Sequence, residues 1–178
     1  YSSAASDVYK RQMVFPEASN ELVALAESPY LARLDDVDLH ALCRCGSCKI
    51  DLELPALFAS LHVAKLRRLL LSTCRIENDN AKRLFASPHL DHVRELELSD
   101  NRIEAAGIGP LATRPMTYQR LVLSGNPLGD AGALVLAHAN ELSVEVLELA
   151  ECGIDEAGAL ALASAPWAKG IVRLNLHG

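Results

Sequence analysis

Three cysteines crowd into one short stretch, Cys43-x-Cys45-x2-Cys48, with His40 and His62 nearby in the chain. Three thiolates and one imidazole are the donor set of a tetrahedral structural zinc site. The C-x-C spacing is tighter than the usual C-x2–4-C, however, and no second cysteine pair follows. Thiols filling core or loop positions are the favoured reading, and no metal is expected. The stretch Ser124-Gly125-Asn126-Pro127-Leu128-Gly129 is glycine-rich but lacks the Lys-Ser/Thr that completes a phosphate-binding loop. The six histidines, His40, His62, His89, His92, His138 and His177, fall in no H-E-x-x-H or nucleophile-elbow pattern. No catalytic residue and no cofactor are therefore expected.

The elements that carry these residues are unusually regular. Half of the residues are hydrophobic but only 4% are aromatic, so the apolar content is mostly Leu, Ala and Val, which suits repetitive stacking. The formal net charge of −6 gives no basic stripe for nucleic acid. No apolar run approaches the roughly 20 residues that cross a bilayer. The odd cysteine count and uneven placement do not read as a secreted disulfide framework, so reduced thiols and a cytoplasmic location are expected. Residues 1–12 (YSSAASDVYKRQ) share none of the periodicity and are expected to be a non-native, disordered tail. Residues 13–178 are expected to form one array, truncated at both ends because neither end shows a polar cap.

The period is read from VRELELSDNRIEAAGIGPLA, YQRLVLSGNPLGDAGALVLA and VEVLELAECGIDEAGALALA, with weaker copies around Leu69 and Leu174. Leu69, Leu96, Leu121, Leu147 and Leu174 follow one another at intervals of 27, 25, 26 and 27. In each copy the alternating leucines, such as Leu121 and Leu123, point inward from a strand. Cys74, Asn101, Asn126 and Cys152 follow, where an Asn can bond turning backbone and stack into a ladder and a Cys can fill the same slot. Ile76, Ile103, Leu128 and Ile154 close the corner. A helical half comes next, with Asp130 and Asp155 at N-cap or first-turn positions. Gly107, Gly132 and Gly158 recur where a helix must approach the adjacent backbone closely. Leu84, Leu111, Leu136 and Leu162 supply the apolar contact, and Pro88, Pro115 and Pro166 mark helix exits. The first strand has two candidate registers: Val37 and Leu39, which repeats the Ser-Pro junction of Ser28 and Ser87, or Cys43 and Cys45, which keeps the period. The first is mildly favoured.

These motifs, L-x-x-L-x-L-x-x-N/C-x-L followed by G-x-x-x-L-A, resemble the leucine-rich repeats of the ribonuclease-inhibitor-like class, in its short bacterial form. The resemblance is strong from about Leu66 to Gly178 and weaker from Asn20 to Val63. It implies an α/β fold: a right-handed horseshoe solenoid, with a parallel sheet on the concave side and helices on the convex side.

Such a fold leaves the strand residues between the leucines facing outward. Arg68, Leu70, Glu95, Glu97, Arg120, Val122, Glu148, Arg173 and Asn175 are the expected partner-binding residues, with Arg68, Glu95 and Arg120 set to form an alternating charge ladder. No aromatic anchors the strip; Trp167 and Tyr118 lie outside it, Trp167 at a helix exit. The resemblance implies a non-enzymatic, monomeric scaffold that binds another protein and neither nucleic acid nor membrane. Two alternatives are a regulator of an enzyme, since the resemblance extends to the Ran GTPase-activating protein, and a structural spacer of a larger protein.

Overall fold

A computed structural model of the protein describes residues 21–40 and 50–178. The tail at residues 1–12 and the cysteines Cys43, Cys45 and Cys48 lie outside the described residues. Helices α1 (Glu21–Glu27), α2 (Ile50–Ala59), α3 (Asn78–Ala86), α4 (Gly129–Ala137) and α5 (Glu156–Ala163) alternate with strands β1 (Asp36–Asp38), β2 (Arg68–Leu70), β3 (Glu95–Glu97), β4 (Met116–Val122), β5 (Leu142–Glu148) and β6 (Arg173–Asn175). The six strands form one parallel sheet in chain order. Its register places Val37, Leu69, Leu96, Leu121, Leu147 and Leu174 side by side. The first strand is thus the Val37 register, and its rung is longer than the others because it contains the segment before α2.

Leu69, Leu71, Leu121, Leu123 and Leu147 are wholly buried in a single apolar spine that runs the length of the sheet. Each such side chain contributes about 1.5–3 kcal/mol. Strands stack about 4.8 Å apart and helices 8–10 Å apart, so a sheet on one side and helices on the other bend the stack toward the sheet.

The rung from Ile103 to Pro115 departs from the helical half seen in its neighbours. It makes only a 3-10 turn, Gly109–Ala112, with Pro110 in its first turn, where a missing N–H is tolerated. The prolines also do more than mark exits. Pro29, Pro88 and Pro166 each open a 3-10 turn that leads into the strand. The strands β4 and β5 extend further toward their N-termini than the others and pair from Met116 with Leu142.

The recurring glycines are explained by side chains more than by backbone. A Cβ on Gly158 would lie 3.0 Å from Ala133 Cβ and would collide with Asp130 Oδ1, and one on Gly107 would lie 3.1 Å from Ala81 Cβ and 2.8 Å from Asn78 Oδ1. Asp130 stands in the first turn of α4, yet its carboxylate accepts from Asp155 N (2.9 Å) and Gly158 N (3.0 Å) of the following rung. Asn78 Oδ1 does the same for Glu104 N. Caps here act across rungs, and Asp155 itself makes no side-chain cap.

The other helix end is also completed from the following rung. Ser60 Oγ donates to Ala26 O and Ser87 Oγ to Phe58 O, while Arg114 Nη1 donates to Phe85 O and Trp167 Nε1 to Leu136 O. Serine, arginine and tryptophan thus meet the same need, the orphan carbonyls of a helix C-terminus. Trp167 does pack at a helix exit, buried against α4.

At the corners, Asn101 Nδ2 donates to Leu71 O (2.9 Å) and Leu98 O (2.8 Å), and its Oδ1 accepts from Cys74 N (3.0 Å) and Ile76 N (2.9 Å). Asn126 repeats this with Leu98 O, Leu123 O and Ile103 N. Cys74 Sγ reaches Leu39 O and Cys152 Sγ reaches Leu123 O, both at 3.2 Å. Burial pushes the Cys152 thiol up from its ordinary value, partly offset by backbone hydrogen bonds at Asn126 and Gly125, which keeps the thiol protonated as a donor. Asn101→Ala is expected to lower stability by about 3–4 kcal/mol, because it strands several buried backbone groups. Asn101→Cys should cost clearly less in chemical denaturation, since the donor half of the ladder survives.

Just before each ladder residue, Thr73, Asp100, Gly125 and Glu151 take left-handed backbone at φ of 55°, 55°, 69° and 54°. Thr73 is β-branched there, and its hydroxyl is buried without a hydrogen-bond partner. Thr73→Gly should therefore raise stability by about 1 kcal/mol, while Gly125→Ala should lower it by at least about 1 kcal/mol, because its Cβ would also strike Asp100. Denaturant midpoints for the two variants moving in the same direction would contradict this.

Candidate functional site: the outer face of the sheet

Side chains that alternate with the buried leucines form two columns across the strands. One runs Asp36, Arg68, Glu95, Arg120, Val146, Arg173, and the other Asp38, Leu70, Glu97, Val122, Glu148, Asn175. All nine sequence-predicted residues fall in these columns, so the structure brings them onto one face. A third column, Ser72, Ser99, Ser124, Ala150 and His177, borders them.

The charges do not pair as the alternating ladder predicts. Arg68 is in register with Glu95, but its guanidinium turns to Asp36 (3.1 Å) on the other side. Arg120 reaches across columns to Glu97 (3.7 Å) and Glu148 (3.8 Å). Arg173 meets the same Glu148 carboxylate at 3.7 Å, and Asn175 Nδ2 donates to it at 2.9 Å. Two carboxylates in the neighbouring column outbid the single one of Glu95, and a long Arg side chain spans that diagonal readily. Glu97 is in turn held by the Ser99 hydroxyl and by Ser99 N at 3.3 Å.

Accessibility divides the set. Val122 is 5% exposed and Glu148 7%, so neither offers much area to a visitor. Glu148 acts instead as the buried anion that fixes two cations. Arg120 and Arg173 stand exposed, and Arg68, Leu70, Glu95, Glu97 and Asn175 are half-buried. The fixing role of Glu148 is not legible from spacing, because it depends on which way the arginines lean.

Nothing among the described residues gathers three or more His, Cys, Asp or Glu side chains as a metal cluster. The histidines serve the backbone or the surface: His138 Nδ1, for example, lies 2.7 Å from Leu134 O at the end of α4. Tyr118 is buried behind the sheet near Arg114 and Asp91, and burial pushes its phenol above the usual tyrosine range.

The family model for a Leucine Rich repeat matches residues 89–112, 119–137 and 142–163, three successive rungs. These three rungs are leucine-rich repeats. The leucine-rich-repeat solenoid is also found in a solved structure, the tropomodulin C-terminal domain of Caenorhabditis elegans. It aligns with 83% of this chain and 92% of its own at a TM-score of 0.56, with 11% sequence identity, and so shares the fold alone. No curated protein matches the sequence.

The raised phenol has a consequence for stability. The unfolded chain releases the Tyr118 proton near pH 10 and the folded one only at higher pH, so its contribution is intact below pH ~10 and is lost as pH rises further. Alkaline denaturation of Tyr118→Phe should show a shallower loss of stability above pH ~10; an unchanged slope would assign that loss to other groups.

Proposed function

We propose that this protein is a non-enzymatic scaffold of the ribonuclease-inhibitor-like kind, which binds another protein through the outer face of its sheet. The observation that carries the reading is the clamp at Glu148. Arg120 and Arg173 are exposed, yet each is tied to a buried carboxylate on a rigid strand. A partner therefore meets arginines whose positions are already set, and little ordering entropy is lost on contact. Arg68 and Glu97 extend the same surface toward the earlier rungs. A partner presenting carboxylates beside small polar groups suits it, because bidentate pairing with arginine is strong and directional.

A cytoplasmic location fits the two buried cysteines, Cys74 and Cys152, which serve the corner ladder as thiols. Among the described residues no helix is long and apolar enough to cross a membrane.

The test is a pair of truncations measured against a bound partner by calorimetry. Arg120→Ala and Glu97→Ala should each weaken binding about tenfold or more. Both side chains are partly solvated, so thermal stability should change by no more than about 1 kcal/mol. Full affinity in both variants, with the fold intact, would remove this face from the interaction.

A further inference from the structure

The outward columns of the sheet carry three cations, Arg68, Arg120 and Arg173, against five carboxylates, Asp36, Asp38, Glu95, Glu97 and Glu148. The two signs are unevenly spread. Strands β1 to β3 hold four of the carboxylates with only Arg68, whereas β4 to β6 hold Arg120 and Arg173 with only Glu148. Arg67 and Arg94, one residue before β2 and β3, take the parity of the buried leucines. Arg94 is moreover spent on the carbonyls of Asp91 and Thr117. The face is therefore acidic toward one end and basic toward the other.

Glu95 stands apart within it. Arg68 and Arg120 are its neighbours in register on either side, yet Arg68 turns to Asp36, and Arg120 to Glu97 and Glu148. Each of the other four carboxylates is held: Asp36 by Arg68, Asp38 by His40 N, Glu97 by Ser99 and Arg120, Glu148 by two arginines and Asn175. Among the described residues the Glu95 carboxylate has no ion pair and no hydrogen bond, although it is half-buried in the middle of the sheet.

We propose that the occupant of this face is an α-helix of the partner. It places a lysine or arginine over Glu95, acidic residues over Arg120 and Arg173, and an apolar residue over Val146. This rests on the binding face proposed above and names the shape and charge order of what it takes. The unmet anion calls for a cation, the two clamped arginines call for carboxylates, and Val146 lies half-buried between those arginines.

Spacing favours a helix. Glu95, Arg120, Val146 and Arg173 lie in register on successive strands. Strands are about 4.8 Å apart, so the last is about 14 Å from the first. A helix laid across them offers a side chain about every 5.4 Å turn, and three turns span about 16 Å. An extended chain repeats a face about every 6.7 Å, so three such steps span about 20 Å and fall out of register. Hydrogen bonding points the same way. The face offers side chains and no strand edge, and a helix arrives with its backbone already paired.

A library of displayed helical peptides, randomised at four positions one turn apart, tests the charge order. Selected on the wild-type protein, the position over Glu95 should carry Lys or Arg at least about tenfold more often than Asp or Glu. Against Glu95→Lys that preference should reverse, and against Glu95→Gln it should vanish. Acidic residues over Arg120 and Arg173 should be retained in all three selections. Because the Glu95 side chain makes no bond in the fold, both variants should keep the wild-type circular dichroism spectrum. Selected helices that bind Arg120→Ala as tightly as wild type sit elsewhere, which overturns the face together with its occupant. Helices that lose affinity for Arg120→Ala but carry the same residue over position 95 against all three proteins overturn the charge order alone and leave the face standing. Binders recovered only from a parallel library of extended peptides, and sensitive to Arg120→Ala, overturn the helix; no binder from either library overturns both.

Discussion

At the corners and helix ends of the described residues, polar backbone groups that a rung leaves unpaired are met by side chains of an adjacent rung, and the rest of the architecture follows from that. Asn101 and Asn126 bridge consecutive corners, Asp130 and Asn78 bind the N–H groups of the following rung, and Ser60, Ser87, Arg114 and Trp167 reach back to helix carbonyls. A buried unmet group costs about 1–3 kcal/mol, so a lone rung is unstable even with its leucines in place. Hydrophobic burial makes the stack favourable, while these bonds set its spacing and order. Stability of this kind is a sum over neighbours, and a defect is felt most strongly in the adjacent rungs.

The same constraint produces a usable surface. Inward side chains and caps hold the strands so firmly that the outward ones need only local partners. Arg120 is placed by Glu97 and Glu148, and Arg173 by Glu148 and the strand that carries it. A charge placed by burial of its counter-ion differs from one on a mobile loop, because its position does not depend on the visitor. The 3-10 rung at Gly109–Ala112 shows how much variation the plan allows: the helix is gone, yet Ile103, Ile108 and Leu111 remain buried and the sheet register is unbroken.

Much of this was legible in the residues, for a physical reason. Leucines at a fixed period and Asn or Cys at the corner have one geometric role each, so spacing alone placed them, and the Ser-Pro junction at Ser28 located β1. The 3-10 turn of the Gly107 rung was harder, since that rung keeps the apolar pattern of its helical neighbours. Side-chain pairing on the sheet face was harder still. Arg68, Glu95 and Arg120 are indeed in register, but flexible cations choose the best carboxylate within reach, and that choice depends on burial that spacing does not encode. The caps across rungs were hidden for a related reason: Asp130 looks like a local cap in sequence, and only stacking brings Asp155 and Gly158 to it.

Those crossing caps bear on how such an array lengthens over evolutionary time. A gene segment that duplicates one strand and its helix brings the acceptor for the following unit and the donor for the preceding one, so an inserted copy fits at once between existing neighbours. Deletion of a single copy is tolerated by the same reciprocity. Ser87, Arg114 and Trp167 make the same donation with different side chains, so the chemistry of the link can change while the link itself is kept.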